Sequence, residues 1–220
     1  MLVAAGFEIA DAWRPVRTVG GDYFDVLKFS ERHVGFCIAD VVGKGLPAAL
    51  LMSNVQAAIK AFASASASPE EVCEKVNGVV CGNIAANKFI TFFYGLLDAP
   101  AKRLVYANAG HSAPILVRRD GTHVRLAEGG AVLGVFPEWS YEQREVELAA
   151  GDRVLLFTDG VTEARNRADE EFGEERLIEL LIKHRSLSAA RIQQQVMETV
   201  AEFSGGDFQD DATLVVLAVE

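Results

Sequence analysis

Short apolar runs at the start of the chain have the spacing of β-strands. Alternating or continuous hydrophobic residues predict strands over residues 7–14, 23–27 and 33–39. Pro15 and the pair Gly20 and Gly21 interrupt the pattern between the first two runs, as turn residues do. The first forty residues therefore indicate the beginning of a β-sheet.

The spacing then changes to that of two consecutive helices. Residues 46–62 predict the first helix, with Pro47 in its first turn, where a missing N–H costs nothing. Its expected buried face consists of Leu51, Val55, Ile59 and Phe62. Residues 68 to about 85 predict the second helix, in which Ser68 and Glu71 form a capping box around Pro69. Its core stripe is expected to be Val72, Val76, Val79 and Val80.

After residue 89 the pattern predicts hairpins and then two more helices. The hairpins pair residues 89–97 with 104–107, 115–117 with 124–126, and 141–148 with 154–157. Helices over residues 174–184 and 188–203 precede a last strand, residues 212–219. Because hairpins outnumber βαβ units, we predict an α+β fold in layers, with mostly antiparallel sheets and helices on their outer faces. With no repeat or linker in the sequence, residues 1–220 are expected to form one domain.

Composition excludes several classes of protein. Half of the residues are hydrophobic and the mean hydropathy is +0.16, which excludes disorder for most of the chain. No apolar run reaches the about 18 residues of a membrane helix, and residues 1–5 are too short for a signal peptide. We therefore expect a cytoplasmic protein without membrane insertion. The net charge of −10 argues against nucleic acid as a partner, and three cysteines without a CxxC pair indicate reduced thiols.

Aspartates stand where predicted strands begin or end. They are Asp22, Asp40, Asp159, Asp210 and Asp211, each beside glycine or another turn former. Taken singly, such a residue is more often a turn residue or a helix cap. Taken together, they are the oxygen donors that Mg²⁺, Mn²⁺ or Ca²⁺ prefers, and two such ions can activate a water and clamp phosphate oxygens. The metal site and the plain turn remain alternatives on this evidence.

Five segments in order give the chain a recognisable likeness. They read GGDYFD at residues 20–25, ADVVGKG at 39–45, NAGH at 108–111, FTDGVTEA at 157–164 and DDATL at 210–214. In this order they resemble the motifs of the SpoIIE/RsbU-type phosphatases, the bacterial branch of the metal-dependent PPM (PP2C-like) serine/threonine phosphatases. The resemblance runs from about residue 7 to residue 219. It implies a layered α-β-β-α sandwich of two mostly antiparallel sheets flanked by helix pairs.

The resemblance also implies an activity and its partners. These are hydrolysis of phosphoserine or phosphothreonine on a partner protein by two-metal water attack, with two Mn²⁺ or Mg²⁺ ions, in bacterial signalling. The substrate implied is a STAS-domain anti-sigma antagonist, and an upstream sensor domain or regulator is implied as well. A homodimer is left open. Two alternatives are a catalytically weak signalling module of the same fold and a Mg²⁺ phosphodiesterase.

Carried over to this sequence, the resemblance assigns catalytic and metal-binding roles to particular residues. Asp40 would bridge both ions, Asp159 and Asp210 would complete one site, and Asp22 with the backbone carbonyl of Val41 would complete the other. Asp211 would orient a ligand or water.

The sequence departs from the family pattern in three places. Val42 stands where the wider family often has a histidine that can act as a general acid, and Lys44 stands between Gly43 and Gly45, where this branch commonly has histidine. Thr18 stands where the eukaryotic enzymes have a phosphate-binding arginine, which leaves Arg14, Arg17 and Lys44 as substitutes. Two further residues have open roles. They are His111, as proton carrier or turn residue, and Glu163, as site acid or exposed loop acid.

Overall fold

The computed structural model describes residues 2–4 (as backbone), 6–16, 20–43, 45–85 and 87–220. The chain divides into two compact units. The terminal unit contains Met1–Arg17, Pro114–Arg125 and Leu148–Glu220, and the internal unit contains Thr18–Ala113 and Leu126–Glu147. Each unit is built around a β-sheet of its own.

Strands and helices alternate along the chain in groups. In chain order the elements are β1 (Leu2–Ala4), β2 (Phe7–Arg14), β3 (Asp22–Lys28), β4 (His33–Val41), α1 (Leu46–Phe62), α2 (Pro69–Cys81), β5 (Ile90–Asp98), β6 (Arg103–Ala109), β7 (Ile115–Val117), β8 (His123–Arg125), β9 (Gly129–Gly130), β10 (Arg144–Glu147), β11 (Arg153–Phe157), α3 (Asp159–Thr162), α4 (Glu174–His184), α5 (Ala189–Phe203) and β12 (Ala212–Val219).

The sheet of the internal unit has the strand order β10-β6-β5-β4-β3, and β9 pairs in parallel with β6. Its other pairings are antiparallel. Helices α1 and α2 pack on this sheet, and Val55, Ile59, Val72 and Val76 are fully buried between them and the strands. The hydroxyl of Ser68 accepts a hydrogen bond from the backbone N–H of Glu71 at 3.3 Å, as the capping motif predicts. The start of α2 therefore follows from a local signal.

The sheet of the terminal unit has the order β1-β2-β12-β11-β7-β8, with antiparallel pairing throughout. Every residue of β12 is buried, because β12 lies between β2 and β11 and helix α5 packs over it. Helix α5 buries Ile192, Val196 and Val200 on one face. The hydroxyl of Ser188 accepts from the N–H of Arg191 and caps this helix.

The predicted α+β fold class with two mostly antiparallel sheets is confirmed, and each sheet carries a pair of helices. The first two predicted hairpins are present as β5–β6 and β7–β8. The third is wrong, because β10 pairs with β6 whereas β11 pairs with β12 and β7 in the other sheet. The two strands differ in character: β10 is mostly exposed at a sheet edge, while every residue of β11 is buried.

Two helix predictions are corrected in detail. The buried face of α1 is Ala48, Met52, Val55, Ala58 and Ile59, whereas Leu51 and Phe62 are only partly buried. Helix α2 ends at Cys81 rather than near residue 85, with Gly82 as its C-cap, and Val79 in its stripe is only partly buried. In the part of the chain that the structure describes, no helix has the length and apolar character to span a membrane. The single domain stays a prediction.

Candidate metal centre

The internal unit places two of the predicted aspartates directly opposite one another. Asp22, the first residue of β3, is the cross-strand partner of Asp40 in β4. Side chains at such positions lie on one face of the sheet, with Cβ atoms about 4.5–5.5 Å apart, and like charges there destabilise the strand pair. Both residues are partly exposed. The antiparallel register therefore creates a pair of carboxylates that a cation would stabilise.

The backbone beside this pair is held close by a glycine. The N–H of Val41 donates to the carbonyl of Gly21 at 3.3 Å. A Cβ atom at Gly21 would lie 3.0 Å from Cγ1 of Val41 and 3.3 Å from the Val41 carbonyl oxygen. Glycine thus allows the chain before β3 to approach the carbonyl that was predicted to bind metal.

The turn after Val41 is fastened by a residue that the sequence did not suggest. The Nζ atom of Lys88 donates to the carbonyl of Val42 at 2.7 Å. The side chain of Val42 is apolar and the residue is 37% exposed, so it offers no proton. Lys88 precedes β5 by two residues, and no motif in the sequence marks it. The ammonium group of Lys88 is therefore held at Val42, which follows Asp40 by two residues.

A hydrogen-bonded group on the other side of Asp40 explains the NAGH segment. Thr91 is the cross-strand partner of Asp40 in β5, and its hydroxyl donates to the Asp40 carbonyl at 3.4 Å. Nδ1 of His111 lies 2.8 Å from the same hydroxyl. The side chain of Asn108 in turn accepts from the His111 N–H at 2.7 Å and donates to the His111 carbonyl at 3.1 Å. Of the two roles left open for His111, these contacts favour a turn residue at a strand end that supports Thr91.

We expect Thr91 to position Asp40. Replacing it as Thr91→Val keeps the shape of the side chain but removes the hydroxyl. Loss of a group that orients a metal ligand typically costs about 10- to 100-fold in metal affinity or activity. In the metal-dependent hydrolysis that the resemblance implies, Thr91→Val should therefore raise the Mn²⁺ concentration that gives half-maximal activity by about tenfold or more.

Thr91→Ser, which keeps the hydroxyl, is the matched control and should stay close to the parent protein. A purely structural role for Thr91 would lower stability in Thr91→Val but leave the half-maximal Mn²⁺ concentration unchanged. That result would contradict the positioning role.

The terminal unit brings a second pair of predicted aspartates to one end of its sheet. Asp159 begins α3 two residues after the end of β11, and Asp210 lies two residues before β12, the neighbouring strand. The hydroxyl of Thr158 accepts from the N–H of Thr213 at 3.0 Å and donates to the Asp211 carbonyl at 3.3 Å. These bonds tie the end of β11 to the beginning of β12.

Gly160 sets how closely these two segments approach. A Cβ atom at this position would lie 2.0 Å from the Asp211 carbonyl oxygen and 3.1 Å from that of Asp210. Both are backbone atoms, so no side chain could turn away to make room. The glycine of the FTDGVTEA segment is therefore required for packing that places Asp159 beside the Asp210 segment.

The neighbouring aspartates Asp210 and Asp211 have different surroundings. Asp211 is 6% exposed, and its Oδ1 accepts from the backbone N–H of Val16 at 2.8 Å. Asp210 is partly exposed, and its Oδ1 accepts from the Asp211 N–H at 2.9 Å. Asp211 thus ties the segment that follows β2 to the sheet, while Asp210 stays partly exposed.

Glu163 lies near the second aspartate pair. Its pKa is raised by partial desolvation of its side chain and then by the negative charges of Asp159, Glu171 and Asp210. The residue as a whole is nevertheless exposed. Glu163 is therefore an exposed acid whose pKa responds to the predicted ligands, and its role as a site acid stays a prediction.

Each unit thus carries one pair of the four predicted aspartates. Within either unit, the residues that the structure describes include no group of three or more His, Cys, Asp or Glu side chains that could hold a metal ion. Of the basic residues considered for phosphate binding, Arg14 donates to the Gly206 carbonyl at 3.0 Å and stacks 4.5 Å from the Phe208 ring centroid. Arg17, Thr18 and Lys44 lie outside the described residues.

Comparison with solved structures gives the class of the fold. The chain matches the RsbU and RsbW domains of Rv1364c from Mycobacterium tuberculosis with a TM-score of 0.86 and 26% identity, over 99% of this chain and 61% of that one. It matches the SiaA-PP2C domain of Pseudomonas aeruginosa with a TM-score of 0.83 and 22% identity, over 96% and 85%. The catalytic domain of the serine threonine protein phosphatase PstP, in complex with 2 manganese ions, matches at 0.71 and 19%, over 97% and 98%. The fold is therefore that of the PP2C (PPM) phosphatase domains.

Comparison of sequences gives the family. The family described as Stage II sporulation protein E (SpoIIE) matches residues 30–220, so the chain belongs to the SpoIIE family. Phosphoserine phosphatase RsbU of Bacillus subtilis (strain 168) is 34% identical over 205 residues, which are 92% of this chain and 60% of RsbU. This chain thus spans about three fifths of the length of RsbU.

Proposed function

We propose that the chain is a metal-dependent phosphatase that hydrolyses phosphoserine or phosphothreonine on a partner protein. The observation that carries the proposal is the register of β3 and β4, which sets Asp22 directly opposite Asp40 in a chain of the SpoIIE family. RsbU, a relative, is named a phosphoserine phosphatase, which supports the substrate class. The proposed partner is a STAS-domain anti-sigma antagonist, supported by the resemblance of the five sequence segments.

The donors fit a hard divalent cation. Paired carboxylates without cysteine are the oxygen ligands that Mn²⁺ and Mg²⁺ take, and opposed like charges need such a counter-ion. We propose two ions; following the resemblance, Asp40 would contribute to both, Asp22 and the Val41 carbonyl would hold one, and Asp159 with Asp210 would hold the other. The 2 manganese ions in the PstP structure support this number. When bound, such ions lower the pKa of a water and clamp phosphate oxygens.

The residues of the chain prepare the site for hydrolysis in three ways. Gly21 lets the Val41 carbonyl stand beside the Asp22–Asp40 pair, and Gly160 holds Asp159 against the Asp210 segment. Thr91 fixes the backbone of Asp40. The side chain of Val42 has no proton to donate. In this proposal the oxygen of the leaving group therefore receives its proton from water rather than from residue 42.

The same resemblance supports further parts of the proposal. They are an upstream sensor domain or regulator acting on the helix pair α1 and α2, and a homodimer left open; the cytoplasmic location is proposed from the composition instead. None of them is needed for the hydrolysis itself, which depends on the aspartates and the residues that position them.

The proposed reaction is tested with two chromogenic esters. In Mn²⁺ the protein should hydrolyse p-nitrophenyl phosphate, and Asp40→Ala should abolish this activity because both proposed metal sites lose a ligand. Asp11→Ala, which removes an exposed aspartate on β2, is the matched control and should keep full activity.

Bis-p-nitrophenyl phosphate distinguishes the alternatives. Turnover of the diester in preference to the monoester would show a phosphodiesterase. Absence of Asp40-dependent turnover of either ester would favour a signalling module without catalysis, and both results would contradict the proposal.

A further inference from the structure

We propose that the terminal unit contains a binding site for a phosphate-type dianion in a cavity lined by three arginines. The cavity measures about 400 Å³, and its lining residues are Arg119, Gly151, Arg153, Arg185 and Ser186. They come from the turn between β7 and β8, the start of β11 and the connection between α4 and α5. In a chain with a net charge of −10, three guanidinium groups around one cavity call for a physical explanation.

Arg153 forms the buried wall of this cavity. It is 6% exposed, and its guanidinium donates to the carbonyls of Leu187, Asp152 and Val219 at 2.9–3.2 Å. Burial lowers its pKa, and the charges of Glu220, Glu8 and Asp152 oppose that effect. Arg153 is thus charge-balanced by carboxylates and held by backbone, so its first role is structural.

Arg119 and Arg185 have no such balance. Arg185 donates through Nε to the Arg119 carbonyl at 3.1 Å and through Nη1 to the Ile182 carbonyl at 2.6 Å. Neither arginine forms an ion pair with a carboxylate in the described part of the chain. Two positive charges therefore face the cavity without a direct counter-ion.

Three carboxylates in the terminal unit already have partners. Asp152 binds Arg118 at 2.6 Å, and Asp120 accepts from the backbone and hydroxyl of Thr122. Glu8 accepts from the N–H groups of Ala189 and Ala190 at the start of α5. These groups are therefore committed elsewhere, which leaves room for an anion from outside.

The backbone shapes the entrance to the cavity. Gly151 has a φ of 93°, and a Cβ atom there would lie 3.1 Å from the side-chain carbons Cγ and Cδ of Arg119. Glycine at this turn therefore lets the Arg119 stem lie flat across it. The stem is packed, which reduces the freedom that Arg119 loses when its guanidinium binds an anion.

The chemistry favours phosphate over a carboxylate. Guanidinium groups bind phosphate through paired N–H donors, and charge-assisted bonds of this kind are the stronger ones. A dianion would balance the positive charges of both Arg119 and Arg185, whereas a single carboxylate would leave one of these charges without a counter-ion. The exposed hydroxyl of Ser186 adds a further donor at the rim.

This cavity is separate from the proposed catalytic aspartates. Arg153 is the first residue of β11, and Asp159 follows the other end of that strand. With a rise of about 3.3 Å per residue, the two ends of β11 lie more than about 13 Å apart. The site would therefore bind phosphate without taking part in hydrolysis, either as free phosphate or as a phosphate ester on a partner.

Calorimetric titration with inorganic phosphate in EDTA tests the proposal, since chelation removes metal-mediated phosphate binding. Arg119→Gln combined with Arg185→Gln should weaken phosphate binding about tenfold or more, because each charge-assisted bond contributes substantially. Arg191→Gln is the matched control, since Arg191 is exposed on α5 and its side chain bonds to Gln194. Mn²⁺-dependent hydrolysis of p-nitrophenyl phosphate should be unchanged in all three proteins.

The outcomes separate clearly. Equal phosphate affinity in the parent and double variant, or equal loss in the Arg191→Gln control, would overturn the site. The single variant Arg119→Gln removes an exposed side chain and serves if the double variant fails to fold.

A phosphoseryl peptide titrated beside its unphosphorylated form shows whether the ligand is an ester on a partner or free phosphate. Absence of hydrolysis in every protein would count against the proposed function and leave this test intact.

Discussion

Asp210→Asn is expected to abolish metal-dependent hydrolysis, whereas Asp211→Asn is expected to retain measurable activity. Asp210 is partly exposed beside Asp159, so its carboxylate can reach an ion, while Asp211 is buried and accepts from the Val16 N–H. An asparagine at position 211 keeps an oxygen that can accept the same bond. We expect a loss above about 100-fold for Asp210→Asn, and at most about 10- to 100-fold for Asp211→Asn, the range for groups that orient ligands.

The rate of p-nitrophenyl phosphate hydrolysis at saturating Mn²⁺ measures both variants. Asp211→Ala is the informative control, because it removes the acceptor of the Val16 N–H and should lower stability more than Asp211→Asn does. A larger loss of activity in Asp211→Asn than in Asp210→Asn would show that the metal ligand has been assigned to the wrong neighbour.

Gly160→Ala is expected to impair both folding and hydrolysis. The added Cβ would meet the Asp211 carbonyl oxygen at 2.0 Å, so α3 or the Asp210 segment must shift by about an ångström. Overpacking of this kind typically costs about 1–3 kcal/mol of stability. A misplacement of about 1 Å near reacting groups can lower activity by about 10²-fold. We therefore expect activity to fall further than stability explains.

Gly78→Ala provides the control. A Cβ at Gly78, in helix α2, has no neighbour within 4 Å, so the substitution should be tolerated and should stabilise the helix by about 0.5–1 kcal/mol. The melting temperature and the rate of p-nitrophenyl phosphate hydrolysis are measured on both variants and compared with the parent protein. Gly160→Ala with the stability and rate of Gly78→Ala would refute the close approach of α3 to the Asp210 segment.

The elements that the sequence predicted best are those whose signals are local. Strands β2 and β12 and helices α1 and α4 begin and end where the pattern predicted. Alternation, a proline in the first turn or acidic residues at a helix start act within a few residues of the element itself. Such signals survive in the folded chain because tertiary packing does not oppose them.

Pairing between distant segments was harder to predict. The prediction of the third hairpin is wrong because the glycine turn at residues 149–152 joins strands of different sheets. The sequence of a turn does not indicate whether the strands on its two sides pair with each other. The buried face of α1 includes Ala48 and Ala58, whereas the spacing of large apolar residues predicts Leu51 and Phe62 instead. Small residues are buried there, where α1 packs against α2 and the sheet.

The candidate site shows the same division. The aspartates were identified because each stands at a strand end in a recognisable segment. Thr91 and Lys88 were not, because their importance comes from register and long-range hydrogen bonds to the Asp40 turn. Gly160 lies within the FTDGVTEA segment, but its role depends on the distance to the Asp211 carbonyl, which only the folded chain reveals.

Phosphate release from a STAS-domain protein phosphorylated on serine tests the central claim most directly. The parent protein should release phosphate in Mn²⁺, should stop when EDTA is added, and should resume when Mn²⁺ is restored. Asp40→Ala should release none under any of these conditions, while Asp11→Ala should match the parent. A phosphoseryl peptide run in parallel separates a wrong partner from a wrong reaction. Release from neither substrate, or release that persists in EDTA or in Asp40→Ala, would contradict the assignment of this chain as a metal-dependent phosphoprotein phosphatase.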